Sequence, residues 1–237
     1  EEHPRWGKDK LAVLLRAQGW QGSTSMLGRI LRRLKQEGQL RETDLRDPCY
    51  PKRRKLRPYA TRKPASYRAQ APGDLVQVDT AELRLLPGVV YKHFTARDVV
   101  CRWDVLDVRH RATAQAAASF LESVLERTPF AVKAIQVDGG SEFKADFERA
   151  CQERGIPLFE LPPRSPKLNG CVERAQRTHQ EEFYQVVDLP ETIGELRQKL
   201  RAWETTYNTV RPHQALGQRT PWEFYQQWLA TQPAERR

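Results

Sequence analysis

No run of about 20 uninterrupted apolar residues occurs in the 237-residue chain, which removes the segment a membrane-crossing helix needs. The opening residues Glu1, Glu2, His3, Pro4 and Arg5 lack the basic flank and apolar stretch of a secretory leader. The sequence therefore reads as that of a soluble, intracellular protein with no membrane partner. Cysteine is scarce and scattered: Cys49, Cys101, Cys151 and Cys171 include no Cys-x-x-Cys pair. That excludes a zinc knuckle and a disulfide scaffold, leaving reduced and mostly buried thiols. The five histidines are isolated as well and offer no metal-ligand spacing. With 39% hydrophobic residues, 16 Pro and 13 Gly, the composition is neither collagen-like nor of low complexity, and the length allows one to three small folded domains.

Positive charge is the first thing present in excess. The formal net charge is +10, and residues 1–70 hold 18 Lys and Arg against 7 Asp and Glu. The remaining residues carry 22 against 23. A basic module is thus joined to a nearly neutral one. Clustered cations gain affinity for nucleic acid by releasing phosphate counterions, whereas a membrane-surface helix would need an apolar face opposite its charges.

Within the basic third, residues 6–19 read as a helix with Leu11, Leu14 and Leu15 on one side. After a turn, Ser23 and Ser25 offer capping hydroxyls, and Leu27, Ile30, Leu31 and Leu34 recur at helical spacing. The opposite face carries Arg29, Arg32, Arg33 and Gln36, long polar side chains able to reach phosphates and base edges from a major groove. An all-α helix-turn-helix DNA-binding domain over residues 1–45 is the expectation; a helix pair with a merely solvated basic face is the alternative. Residues 46–72 contain five prolines, nine Lys or Arg and one acid, which predicts an extended linker. In it Lys52, Arg53, Arg54, Lys55 and Arg57 are placed to track a phosphate backbone, with Tyr50, Tyr59 and Tyr67 available for stacking. A solvated spacer is the competing reading.

From Gly73 onward the period becomes strand-like, over residues 74–79, 89–98 and 101–109. Thr113 caps an Ala-rich helix at 114–127, a fourth strand is expected over 131–138, a helix over 142–155 and a fifth strand over 157–161. A Pro-rich loop then leads into a helix from Gly170. This order predicts an α/β fold, a mixed five-stranded sheet flanked by helices over residues 73–188, followed by a helical extension over 189–237.

Two acids each follow a Gln-Val pair: Gln77-Val78-Asp79 closes the first expected strand and Gln136-Val137-Asp138 the fourth. A carboxylate ending a buried strand is costly unless it meets a cation or donors. Glu173 opens the helix after the Pro-rich loop. Three carboxylates converging from two strand ends and a helix start suit a hard cation such as Mg2+ or Mn2+. Glu142 is a rival carboxylate, though the first turn of a helix explains an acid there.

Asp79, Asp138 and Glu173, the block Gln-Val-Asp-Gly-Gly-Ser-Glu-Phe, the loop Pro163-Arg-Ser-Pro-Lys-Leu-Asn-Gly170 and the stretch Tyr207-Asn-Thr-Val-Arg-Pro-His-Gln-Ala-Leu216 together resemble the DDE transposases of bacterial insertion sequences. These belong to the retroviral integrase superfamily, with its ribonuclease H-like core. The resemblance implies a DNA transposase or integrase in which Asp79, Asp138 and Glu173 are catalytic and hold two Mg2+ or Mn2+ ions. It implies end cleavage by water and strand transfer by the freed 3′-hydroxyl, without a covalent protein–DNA intermediate. Double-stranded DNA, both terminal repeats and target, is the implied partner, with at least a dimer on DNA and a location at the bacterial nucleoid. Lys167 in the loop and Arg177, one turn after Glu173, are further candidates to meet phosphate. Two positions depart from the family: Gly139 stands where Asn is usual, and Gln180 where retroviral integrases often carry Lys. A binding-only relative and a ribonuclease H-type nuclease are the alternatives; the intact triad opposes the first, and the helix-turn-helix with its linker opposes the second.

Overall fold

The computed structural model describes residues 6–40, 59–86, 88–162, 168–188, 190 and 192–233. The chain divides into two compact units, Glu1–Leu56 and Arg57–Arg237.

The first unit holds α1 (Lys8–Ala17) and α2 (Thr24–Gln36). Gly19, at a φ of +91°, turns the chain after α1; its N–H and that of Trp20 return to the Arg16 and Leu15 carbonyls, closing the helix end. Ser23 caps α2 by accepting from the Met26 amide at 3.1 Å. Ala12 and Leu27 are the buried residues of the pair. Arg29, Arg32 and Arg33 are exposed on α2, and Arg33 is paired with Glu37 at 2.7 Å.

The second unit is built on β1 (Val76–Leu86), β2 (Val89–Asp98), β3 (Asp104–Arg109), β4 (Ile135–Val137) and β5 (Leu158–Glu160). Their order across the sheet is β3-β2-β1-β4-β5. The first three strands form an antiparallel meander, while β4 and β5 join in parallel. The mixed five-stranded sheet flanked by helices is therefore as expected.

Side chains alternate across a pleated sheet, and the two faces differ in chemistry. One face presents Val76, Val78, Phe94, Ala96 and Val105 to Phe120, Leu121 and Val124 of α3 (Ala114–Arg127) and Phe147 of α4 (Asp146–Glu153). The other is lined largely by buried polar groups: Gln77, Asp79, His93, Thr95, Arg97, Asp104 and Gln136. Against this second face lie α5 (Gly170–His179), continued by a π-turn to Tyr184, and α6 (Ile193–Thr209). A smaller apolar cluster there joins Leu83, Leu106 and Val108 to Phe183, Tyr184, Leu196 and Leu200. The helix α7 (Pro221–Thr231) closes the unit, starting at Thr220 with a capping box to Glu223. Among the described residues no helix is long and apolar enough to cross a membrane.

Two expected boundaries change. Residues 59–72, read as part of an extended linker, belong to the second unit. Thr61 bridges in parallel to Phe159 on β5, the Tyr59 hydroxyl donates to the Ile156 carbonyl at 3.0 Å, and Tyr67 packs edge-on against Phe159. These tyrosines are spent on the core, because an edge strand offers backbone partners to any chain that lies along it. Residues 189–237 are likewise part of the unit, since α6 supplies Leu196 and Leu200 to its core. The helix expected at 142–155 is divided: a 3-10 turn at Ser141–Phe143 precedes α4. Tyr50 and residues 52–55 and 57 lie outside the described residues.

Candidate active site

The parallel pairing of β1 with β4 fixes the first two carboxylates. Val76, Gln77 and Val78 stand opposite Ile135, Gln136 and Val137, so Asp79 and Asp138 come next on neighbouring strand paths. Asp79 is not at a strand end, as its sequence context predicts; it is the fourth residue of β1, which runs on to Leu86 by continued pairing with β2. Asp138 directly follows β4 and is exposed, and Glu173 lies in the first turn of α5. Their charges meet at Asp79. Burial, the negative charge of Asp138 and, more weakly, that of Glu173 push its carboxyl up to about 7, against a favourable Thr80 amide.

Local donors hold the two aspartates. Asp79 accepts from the Thr80 amide at 2.8 Å and from Asn169 Nδ2 at 3.1 Å, and Asp138 accepts from the Gly140 amide at 2.9 Å. Glu142 joins them, accepting from the Thr80 hydroxyl. A Cβ on Gly140 would come within 2.8 Å of Glu142 Oε2 and 2.9 Å of Asp138 Oδ1, so a bare backbone lets both carboxylates crowd the turn. At Gly139, a Cβ would meet Glu160 Oε1 at 3.1 Å, tight for the Asn usual in the resembling family.

Among the described residues no three His, Cys, Asp or Glu side chains already stand in metal-ligating geometry. The donor chemistry nonetheless fits a hard divalent cation. All three predicted ligands are carboxylates, and their mutual repulsion at Asp79 is what a cation neutralises. The buried acceptors Gln136 Oε1 and Asn169 Oδ1, close to the aspartates, have no hydrogen-bond partner among the described residues and suit the protons of coordinated water.

A row of buried polar side chains runs across the sheet one step from the aspartates. Asp104 faces Arg97, Arg97 faces Gln77, and Gln77 faces Gln136 in consecutive registers. Arg97 binds Asp104 through two nitrogens at 2.6 and 2.8 Å and also donates to the Tyr207 hydroxyl. His179 Nδ1 accepts from Trp203 Nε1 at 3.0 Å, so its Nε2–H donates to Asp104 at 2.9 Å. Burial lowers the pKa of this histidine and keeps it neutral. Asn208 clasps Asp104 from α6, donating to its carbonyl at 2.7 Å and accepting from its amide at 2.9 Å. His213, with its pKa lowered to about 4 chiefly by burial, is itself buried and shapes the turn after α6 through its backbone bond with Arg219. Tyr207, Asn208 and His213 of the C-terminal motif are thus internal.

Arg177 is exposed on α5, one turn beyond Glu173. Lys167 lies outside the described residues. Sequence reasoning did not identify Gln77, Gln136, Arg97 or Asp104; the repeated Gln-Val-Asp was the available signal.

Residues 154–221, which include Glu173 and the 207–216 motif, match the family described as integrase core domain. Over those residues the chain is similar to an integrase core domain. Its fold accords with that of the HTLV-2 integrase catalytic core domain, solved in complex with magnesium: TM-score 0.54 at 16% identity over 67% of this chain and 99% of that one. A chain of the simian T-cell lymphotropic virus intasome, solved in complex with PP2A regulatory subunit B56 gamma, aligns with TM-score 0.58 at 17% identity over 98% of this chain and 73% of that one. Insertion element IS136 uncharacterized proteins from Agrobacterium fabrum and Agrobacterium tumefaciens are 26% identical over 98 residues, 41% of this chain. The chain spans about half the length of these curated relatives, 50% of each. The chain thus combines similarity to bacterial insertion-element sequences with the fold of the HTLV-2 integrase catalytic core domain.

Proposed function

We propose that this protein is an insertion-sequence transposase that cuts its element's DNA ends and joins them to target DNA. The observation that carries this reading is the parallel pairing of β1 with β4, which sets Asp79 and Asp138 on neighbouring strand paths, with Glu173 in the first turn of α5 against the same sheet face and its charge felt at Asp79. Asp79, Asp138 and Glu173 would hold two Mg2+ or Mn2+ ions, which supply charge neutralisation at phosphorus and favour the deprotonated form of the attacking oxygen. Asn169 orients Asp79 by donating to its Oδ2. In the first reaction water attacks a phosphodiester at the element end, breaking the bond to the 3′-oxygen and leaving a 3′-hydroxyl. That hydroxyl then attacks a target phosphodiester, exchanging one ester bond for another, so no energy-supplying nucleotide is needed.

Arg177, exposed beside Glu173, contacts a phosphate of the bound end, as does Lys167. Arg29, Arg32 and Arg33 read or grip duplex DNA from α2, and Lys52, Arg53, Arg54, Lys55 and Arg57 track its backbone. Two element ends must be brought together, so at least a dimer assembles on DNA. The residues that precede the integrase core form a helix-turn-helix domain and a basic connector, and the protein works at the nucleoid. The test uses duplexes made from the genomic flanks of the gene, with Mg2+ or Mn2+. Cleavage and joining that vanish in Asp138→Asn support the reading; equal activity in that variant contradicts it.

A further inference from the structure

The N-terminus of α5 is held in an unusual way, and this bears on where Glu173 sits. A helix begins with amides that have no partner inside it, and an Asn at the N-cap normally serves one of them through its own side chain. Asn169 is the N-cap of α5 but makes no such bond; its amide is turned to Asp79. The service comes from the sheet instead. Gln77 Oε1 accepts from the Val172 amide at 3.1 Å, while Gln77 Nε2 donates to the Leu168 carbonyl at 2.9 Å. Gln136 Nε2 donates to that same carbonyl at 3.0 Å. Both glutamines are buried, at 4% and 0% exposure, and each stands two residues before an aspartate on the face shared with α5.

Burying two amide side chains at adjoining positions is costly unless their bonds are made. Here the bonds run from the strands that carry Asp79 and Asp138 to the segment that leads into Glu173. We infer that Gln77 and Gln136 are positioning residues: a paired clamp on the Leu168 carbonyl and the first turn of α5 that sets the Glu173 carboxylate against the two aspartates, and thereby sets the affinity of the three for a divalent cation. This rests on the transposase reading for its consequence in catalysis, but its geometric content concerns metal affinity alone. Arg97 extends the clamp, donating to the Cys171 carbonyl at 3.3 Å. Partners that orient metal ligands typically change affinity or activity 10- to 100-fold when removed.

The test uses the full chain with Gln77→Met, Gln136→Met and the double replacement, which keep length while removing donors. Each single variant leaves one glutamine on the Leu168 carbonyl and should fold. Mn2+ affinity is read from the free-ion paramagnetic signal up to millimolar metal, α5 order from hydrogen exchange at the Val172 amide, and integrity from cooperative melting. The double variant is expected to bind Mn2+ roughly 10- to 100-fold more weakly and to exchange Val172 faster while still melting cooperatively. Gln77→Met alone, losing two bonds, should weaken Mn2+ by about tenfold. Gln136→His, which keeps an N–H donor of similar reach, should restore most of the affinity lost in Gln136→Met.

Wild-type Mn2+ affinity in the double variant overturns the inference, as does a lowered melting temperature with unchanged affinity, the outcome of a merely structural role. If the double variant does not fold, Gln77→Met decides by the same criteria. The two readings fail separately. Wild-type protein inactive on its element ends, but with Mn2+ affinity that depends on both glutamines, keeps the clamp and removes the transposase. Active wild-type protein, silenced by Asp138→Asn but indifferent to the glutamine variants, does the reverse.

Discussion

Removing the charge of Asp79 should stabilise the protein while ending its proposed activity. The Asp79 carboxyl is raised from 3.8 to about 7 by burial and by the charges of Asp138 and Glu173. Because the folded-state value lies above the unfolded one, the folded protein keeps its proton over a range where the unfolded chain has lost it. Stability therefore declines as pH rises from 3.8 to about 7 and levels off above. At about 1.4 kcal/mol per pH unit, the full penalty is about 4 kcal/mol, an upper bound reached in alkaline solution. Asn at this position keeps Oδ1 for the Thr80 amide, places an NH2 where Oδ2 accepts from Asn169, which a flip of the Asn169 amide would meet with its unpartnered Oδ1, and carries no charge. Urea unfolding of wild type and Asp79→Asn in a chelator should then give curves that nearly coincide at about pH 4 and differ by several kcal/mol at about pH 8.5, with the variant the more stable. Mg2+ should narrow the gap by stabilising only the wild type. A difference independent of pH, or a variant less stable at high pH, would mean that the charge of Asp79 does not burden the fold.

Three further outcomes follow from packing and charge. Asp104→Asn leaves Arg97 buried beside a neutral group and weakens the bond from His179, so unfolding in urea should become easier by about 3–5 kcal/mol; a loss under about 1 kcal/mol would mean that Arg97 finds water instead. Gly73 has a φ of +84°, and a Cβ there would lie 2.1 Å from the Ala131 carbonyl oxygen. Gly73→Ala should therefore cost about 3 kcal/mol or more, seen as a lowered melting temperature, and an unchanged one would contradict the close approach. For the first unit, replacing Arg29, Arg32 and Arg33 by Gln should reduce the slope of log affinity for duplex DNA against log salt by about 2 to 3. An unaltered slope would place the phosphate contacts elsewhere.

The sheet and its helices were largely legible because their patterns are local. β2 coincides with the expected 89–98 and α3 with 114–127, one from β-branched alternation and the other from an Ala-rich run between Thr113 and Pro129. Asp79 and Asp138 drew attention by context, since a carboxylate closing an apolar run asks for a partner, and Glu173 as the acid opening the helix after the Pro-rich loop. What escaped is non-local. The shared bonds of Gln77 and Gln136 to the Leu168 carbonyl, and those of Arg97 to Asp104, Cys171 and Tyr207, exist only through strand register and helix docking, and no periodicity marks them. Residues 59–72 were misread for a related reason: composition full of proline and cations describes a segment unable to form its own element, yet Thr61 and Tyr59 borrow the partners of β5 and Ile156. Asp79 seemed to end its strand because the polar residues after it, Thr80 and Glu82, break the apolar pattern while the backbone pairing continues.

On the proposed reading, Asp79, Asp138 and Glu173 act together on phosphodiesters of the element's own ends. The most direct measurement is strand transfer by the purified chain, using duplexes that carry the genomic flanks of the gene and a supercoiled target, with Mg2+, Mn2+ or chelator. Joined products should require the divalent ion and disappear in each of Asp79→Asn, Asp138→Asn and Glu173→Gln. Products formed in chelator, or retained in any of the three variants, would contradict that reading.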